Sequence, residues 1–173
     1  ISGGLHGVGS SVVNALSEWL ELRIYDGEHA YYQKFERGAP VAALEQTGDT
    51  ERTGTEVTFK ADDQIFEETN YDYDTLSTRL REQAFLNAGI SIRFADLRDP
   101  ENLRDEAMKY DGGIRSFVEH IHTRKGLEVL HRPVIYFATE QGDVSAEIAL
   151  QYNDSYNELV LSFANNIHTV EGG

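Results

Sequence analysis

Residues 1–11 have the composition of a phosphate-binding loop. Four glycines, Gly3, Gly4, Gly7 and Gly9, fall within seven positions, and a predicted helix follows at once. Glycine allows a positive φ and lets a ligand approach the backbone with no Cβ in the way. The first N–H groups of a helix have no partner within it and carry the positive end of its dipole, so an anion can satisfy several of them. The stretch therefore predicts either a phosphate cradle or a plain glycine-rich loop closure.

The glycine-rich stretch differs from the two common phosphate-binding motifs. No Gly-Lys-Ser/Thr follows the glycines, as a P-loop requires. The sequence begins at this stretch, so it shows no hydrophobic strand before the glycines, as a dinucleotide fold requires. Backbone amides would therefore hold the phosphates without a lysine. Apolar residues at helical spacing predict a helix from Val8 to Trp19, and Ser10 or Ser11 can cap its start.

The composition predicts a globular protein. The chain has 173 residues, of which 40% are hydrophobic, enough for one ordinary domain or two small ones. It contains no apolar run near membrane-spanning length and no leader, so we expect a cytoplasmic location. It has 0 cysteines, which excludes disulfides, thiolate catalysis and cysteine-ligated zinc. The sequence begins at Ile1, within a loop motif, and ends at the turn signal Gly172-Gly173, so we expect an internal fragment of a longer protein.

The charge argues against direct DNA binding by this chain. It has 30 acidic and 15 basic residues, for a net charge of −15, with no obvious basic cluster. We therefore expect any DNA contact in other parts of the protein, and adaptation to salt stays an open explanation of the acidity. An acidic cluster, Asp62, Asp63, Glu67 and Glu68, is predicted to be solvated surface.

Helices and mostly antiparallel strands alternate along the chain, which predicts an α+β fold. A turn at Asp26-Gly27 should join the first two strands, and Asp72 or Asp74 can cap the second helix. We expect a surface segment or linker at 98–111 and loop at 41–53. Strands are predicted at 20–25, 30–35, 55–60, 90–94, 134–140, 144–151 and 159–164, and further helices at 72–88 and 114–121.

Five stretches in order resemble the DNA gyrase B family and its topoisomerase relatives. Residues 2–17 resemble the ATP-lid motif of that family, and residues 52–59, 79–87, 110–114 and 165–173 agree with later motifs. The resemblance covers essentially the whole chain. It implies an antiparallel sheet backed by helices, the C-terminal part of a GHKL-type ATPase sandwich, over residues 1–97. A charged connecting segment at 98–112 and the first strands of a transducer α/β domain at 113–173 would follow.

The resemblance also implies a nucleotide site. The lid amides would wrap the phosphates of ATP, with His6 beside the terminal one or merely supporting loop packing. Thr55 would recognise adenine with an aspartate outside the chain, although a β-branched residue also simply suits a strand, and Val57 would line the pocket. The ATP-binding residues implied are Gly4, Leu5, His6, Gly7, Val8, Gly9, Thr55 and Val57.

The catalytic groups are implied to lie outside the chain, so we expect the fragment alone to be inactive. The resemblance places the glutamate that activates water, the Mg²⁺ ligand and the transducer lysine beyond its ends. It implies an ATP-dependent type II DNA topoisomerase, an isomerase, whose ATPase chain dimerises on binding ATP and works with an A-type subunit and DNA. Topoisomerase IV, another GHKL ATPase, or a non-catalytic module that binds an anion or a partner are the alternatives.

Overall fold

The computed structural model describes residues 7–169. Contacts within the chain divide it into two compact units, the first ending at Asn70 and the second beginning at Tyr71. Both units combine helix with antiparallel strands, so the predicted α+β class is confirmed. The expected domain limits near residues 97 and 113 stay a prediction.

A five-stranded antiparallel sheet forms most of the first unit. Its order is β3-β2-β1-β5, with β4 beside β2. The strands predicted at 20–25, 30–35 and 55–60 are confirmed, whereas β3 and β4 lie in or beside the segment predicted as loop. Every residue of β3 and β4 is exposed, so no buried face marks them in the sequence. The strands are β1 (Ser17–Asp26), β2 (His29–Glu36), β3 (Ala39–Pro40), β4 (Glu45–Asp49) and β5 (Thr53–Ala61).

The turn between β1 and β2 is built as predicted from Asp-Gly. Gly27 has φ 96°, which suits the first central position of a two-residue hairpin loop. The Asp26 carboxylate accepts hydrogen bonds from the backbone N–H of Glu28 at 2.9 Å and of His29 at 2.7 Å. These bonds, first the one from His29, hold the pKa of Asp26 below its usual range.

One face of the sheet carries apolar side chains. Leu20 of β1 is only 5% exposed and lies opposite Phe35 of β2 and Phe59 of β5. Two residues along, Leu22 lies opposite Val57. Because successive side chains on a strand point to opposite faces, these residues share one face of the sheet.

The first helix, α1 (Gly9–Ala15), is shorter than predicted. Trp19 belongs to β1, which begins at Ser17. Over so few residues, the spacing of Trp19 from its apolar neighbours fits both a helix and a strand. It lies in a strand because β1 pairs with β2 on one side and with β5 on the other. The expected serine cap is also wrong, because Val8 precedes the helix and no side chain caps it.

Two longer helices belong to the second unit. α2 (Tyr73–Leu86) begins after Asp72, whose Oδ1 accepts a hydrogen bond from the N–H of Thr75 at 2.8 Å, so this predicted cap is confirmed. α3 (Ile114–Lys125) ends at Gly126 in the left-handed conformation, beyond the predicted end at 121. No helix within residues 7–169 is long and apolar enough to cross a membrane.

Stacked aromatic rings form the centre of the second unit. Phe85 of α2 is 1% exposed, and its ring stacks on Tyr110 with centroids 3.7 Å apart. The ring of Phe117 on α3 stacks on Phe85 as well, at 4.9 Å. Met108 and Ala84 are fully buried in the same unit. The aromatic stack joins α2 to α3.

The charged segment predicted as a surface segment or linker contains a strand. β7 (Arg104–Lys109) pairs with β6 (Ser91–Asp96), and only Met108 of β7 is buried. Four of its six residues are exposed and Glu106 is half-buried, so the segment has no apolar alternation. A bidentate ion pair from Arg93 to Asp105 across the two strands accounts for part of its charge.

Four further strands complete the second unit. β8 (Ile135–Gln141) and β9 (Val144–Leu150) form the predicted hairpin, and β10 (Phe163–Ala164) pairs with β11 (Ile167–His168). Of the strand predicted at 159–164, only the last two residues form one. The backbone N–H of Thr169 donates to the carbonyl of Ser162 at 2.9 Å, which extends the pairing of β10 and β11 by one residue on each side.

Asp96 should make the second unit sensitive to acid. Bonds from the Arg98 guanidinium at 2.6 and 2.9 Å, and then the Arg98 backbone N–H, lower the pKa of Asp96 to about 2. The pKa of an aspartate in the unfolded chain is about 3.9. The ionised Asp96 therefore contributes its full stabilisation of the fold above that pH, and this stabilisation is lost as the pH falls toward about 2. We expect Asp96→Asn to flatten the fall in unfolding free energy measured by urea below about pH 4.

The control for Asp96→Asn removes the same charge elsewhere. Asp143→Asn lies in the exposed turn between β8 and β9. If both variants show the same pH dependence below about pH 4, the ion pair of Asp96 does not stabilise the fold.

Candidate functional site

Part of the predicted lid lies outside the described residues. Gly4, Leu5 and His6 precede residue 7, the first that the structure describes. Gly7 has φ 64°, a left-handed conformation that favours glycine. Among the described lid residues 7–9, the positive φ predicted for the glycine-rich loop is present at Gly7.

Among the described residues, nothing crowds the backbone at the start of α1. An added Cβ at Gly7 or Gly9 would meet no heavy atom of residues 7–169 within 4 Å. Val8 accepts the first intrahelical bond from the N–H of Val12 at 2.9 Å, and no side chain caps the free N–H groups ahead of it. The helix has 7 residues, so these N–H groups, rather than a large dipole, would attract an anion.

Thr55 and Val57 lie on the apolar face of the sheet, on β5. Thr55 is opposite Ile24 and Val57 is opposite Leu22, both on β1. The Val57 side chain is 52% exposed, so this face is accessible where it carries the two residues. Gly54, just before them, has φ 139° and nothing within 4 Å of an added Cβ.

The lid residues and the β5 residues belong to the same unit, but the bonds that tie α1 to the sheet lie at its C-terminal end. The carbonyl of Leu16 accepts a bond from the N–H of Asp62, just after β5, at 3.1 Å. The Asn14 side chain donates to the carbonyl of Gly38 at 3.5 Å. Gly7 and Gly9 lie at the opposite end of α1.

An ion pair between the exposed Arg37 and the buried Asp62 lies beside this C-terminal attachment, and it corrects one sequence prediction. Asp62, expected on solvated surface, is 1% exposed. Its Oδ2 accepts a bond from Nε of Arg37 at 2.6 Å, and its Oδ1 accepts one from the N–H of Gln64 at 3.0 Å. The Arg37 guanidinium, and then the Gln64 N–H, hold the pKa of Asp62 below its usual range. The partners are 25 residues apart, so no local signal predicts the pair.

The described residues contain no group of three or more His, Cys, Asp or Glu side chains able to hold a metal ion. Asp62 is engaged with Arg37, and Glu56 bonds to Arg52 at 3.0 Å and to the Tyr25 hydroxyl at 3.2 Å. Because strand residues alternate, Glu56 points to the face opposite Thr55 and Val57. We therefore assign no metal ligand among residues 7–169.

Known proteins match this chain along its whole length. The chain is 50% identical over 174 aligned residues to the DNA gyrase B protein of Staphylococcus aureus, and the alignment covers 100% of this chain and 27% of that protein. The chain belongs to the DNA gyrase B family. The gyrase B protein of Halalkalibacterium halodurans is 51% identical over the same coverage. The chain thus spans about a quarter of the length of these gyrase B proteins.

Two further comparisons agree with membership of the gyrase B family. The family model described as DNA gyrase B matches residues 113–173. The crystal structure of the 43K ATPase domain of Thermus thermophilus gyrase B, in complex with an aminocoumarin, matches with a TM-score of 0.80 and 34% identity. That match covers 94% of this chain and 44% of the crystallised chain. The α+β fold is therefore that of a gyrase B ATPase domain over most of the chain.

Proposed function

We propose that this chain is part of the ATP-hydrolysing component of a type II DNA topoisomerase, and specifically of the B protein of a DNA gyrase. The observation that carries the proposal is 50% identity to gyrase B along the entire chain. The match to a solved gyrase B ATPase domain supports it. In this function the whole protein uses ATP to change DNA supercoiling by passing one duplex through another.

ATP would contact the chain at two places in the first unit. Main-chain N–H groups from Gly4 to Gly9 would bind its phosphates, and the open backbone at Gly7 and Gly9 leaves room for them. Thr55 would donate a hydrogen bond toward adenine from the accessible face of β5, and Val57 would pack against the ring. Backbone N–H groups that are held in place before the reaction can stabilise charge that develops on a transferred phosphoryl group.

The catalytic water, its general base and the Mg²⁺ ligand are proposed to come from other parts of the gyrase protein. Mg²⁺ would neutralise charge on the phosphates when bound, but residues 7–169 offer no cluster of ligands for it. The role of this chain is to bind and orient the nucleotide, and hydrolysis by the chain alone is not expected.

The remaining parts of the proposal concern partners and organisation. The acidic charge of −15 supports DNA contacts elsewhere, through other regions and a gyrase A-type subunit. ATP binding would dimerise the gyrase B protein. We also propose a transducer domain from residue 113, where the family-model match begins, an ATPase portion over residues 1–97 and a location in the cytoplasm.

Substitution Gly9→Ala in the full-length protein tests the phosphate contact. The new Cβ meets no atom of the described part of the chain within 4 Å, and alanine favours helix more than glycine, so stability should not fall. The methyl group would instead occupy the space where phosphate oxygens approach the N–H groups. We expect about tenfold weaker binding of adenylyl-imidodiphosphate, measured by isothermal titration calorimetry.

The matched control for Gly9→Ala is Gly48→Ala, which makes the same chemical change on β4, also with nothing within 4 Å. Its nucleotide affinity should equal that of the wild type. Unchanged affinity in Gly9→Ala, with both proteins folded by circular dichroism, would refute the lid assignment while leaving family membership intact.

A further inference from the structure

A cleft lies in the second unit, which does not carry the proposed nucleotide residues. This cleft, of about 380 Å³, lies between α2 and α3. Its volume is within the range of about 300–1,000 Å³ that is typical of small-molecule sites. Its apolar lining comprises Phe85, Phe117, Ile121, Leu159 and Leu161.

Cationic side chains border this apolar lining. Arg81 of α2 and Arg124 and Lys125 at the end of α3 all line the cleft, together with the hydroxyl-bearing Thr78. One carboxylate, Glu82, also lines it, and Arg79 forms an ion pair with Glu82 at 2.9 Å. The lining therefore carries a cationic excess in a chain whose net charge is −15.

Two of the three cations at the cleft are available to a ligand. Arg81 is already engaged, since its Nη2 bonds to Glu106 at 2.5 Å and to the Ser77 hydroxyl at 3.2 Å. Within residues 7–169, Arg124 and Lys125 form no ion pair with an acidic side chain. Favourable interaction with the helix dipole explains basic residues at the end of α3, but it does not explain why they border an apolar cavity.

The histidine in the cleft is partly buried and lies near cationic side chains. His120 lines the cavity with its ring 5.2 Å from that of Phe85. Burial lowers the pKa of His120 first, and Arg81 of α2 and Arg124 of α3 lower it further, against the opposing effect of Glu106 on β7. A bound anion would offset the repulsion among these cations.

We propose that the cleft between α2 and α3 binds an organic anion with a compact apolar body. The body would pack against Phe117, Ile121 and Leu161, and the negative group would face Arg124 and Lys125. Charge complementarity and the apolar lining together select this class over bare inorganic ions and over neutral hydrocarbons. Because α2 and α3 form opposite walls, the ligand would stabilise their packing, independently of nucleotide binding by the first unit.

The test uses one probe, 1-naphthalenesulfonate, titrated into the full-length protein by calorimetry. Its neutral analogue, 1-naphthalenesulfonamide, has the same ring system, and inorganic sulfate supplies the charge alone. We expect the sulfonate to bind at least tenfold more tightly than either. The double substitution Arg124→Ala/Lys125→Ala should weaken sulfonate binding at least tenfold, and Leu159→Glu, at a half-exposed position, should do the same by repulsion.

A matched control removes two positive charges from the same unit without touching the cleft. Lys109→Ala/Arg115→Ala should bind the sulfonate like the wild type, and so should Gly9→Ala, whose change is in the other unit. Three results would each overturn the proposal: no sulfonate binding, equal binding of the sulfonamide, or equal losses in the cleft variant and its control. None of these results bears on the gyrase function.

Discussion

Phe85→Ala should lower the free energy of unfolding of the second unit by about 3–5 kcal/mol, the range for truncation of a buried aromatic residue. Phe85 is 1% exposed, and its ring lies between those of Tyr110 at 3.7 Å and Phe117 at 4.9 Å. Removing the ring deletes both stacking contacts and leaves a cavity that the two helices cannot fill without moving. Urea unfolding monitored by the amide hydrogen exchange of α2 and α3 measures the loss of unfolding free energy.

Phe137→Ala is the matched control for Phe85→Ala. It removes the same ring from β8 of the same unit, where the side chain is 60% exposed. We expect its effect to stay below about 1 kcal/mol, because little apolar surface returns to water. Similar losses in the two variants would show that the aromatic stack does not form the core of this unit.

Gly38→Ala should destabilise the first unit by about 2–4 kcal/mol, the sum of two costs. Gly38 has φ 82°, which an L-residue adopts only at a cost of about 1–2 kcal/mol. Its new Cβ would also lie 3.2 Å from the Cα of Ala15, a backbone atom that cannot rotate away. The chain has 1 tryptophan, Trp19 of β1, so its fluorescence during urea unfolding reports this unit.

Gly48→Ala controls for the loss of glycine itself. Gly48 has no positive φ and no neighbour within 4 Å of an added Cβ. This variant should be neutral or slightly more stable, since alanine restricts the unfolded chain. If Gly38→Ala unfolds at the same urea concentration as Gly48→Ala, α1 does not approach the β2–β3 turn closely in solution.

Sequence patterns correctly predicted those elements that depend on one or two neighbouring residues. Asp72 caps α2 and Asp26-Gly27 turns the first hairpin, because one side chain or one φ value suffices for each. Alternation on β5 placed Thr55 and Val57 on one face. Their proposed roles came from the family resemblance and not from the strand pattern, and they stay to be tested.

The wrong or missing predictions share a dependence on distant residues. Trp19 fits a helical period, but β1 forms because strands on both sides pair with it. β7 has one buried residue, Met108, and the half-buried residue two positions before it is the charged Glu106, so its buried face cannot be read as an apolar pattern. Asp62 sits among acidic neighbours, and only folding brings Arg37 to it from the β2–β3 turn.

The position of β5 at the end of the sheet order has a consequence for handling the protein. Among the described strands β5 pairs only with β1, so the main-chain groups along its outer margin depend on water, on another part of the longer protein or on a second molecule. A nine-residue strand of this kind is a template onto which a strand from a second molecule can add, giving intermolecular β-pairing. Stabilities of variants in the first unit are therefore comparable only at one, preferably dilute, protein concentration.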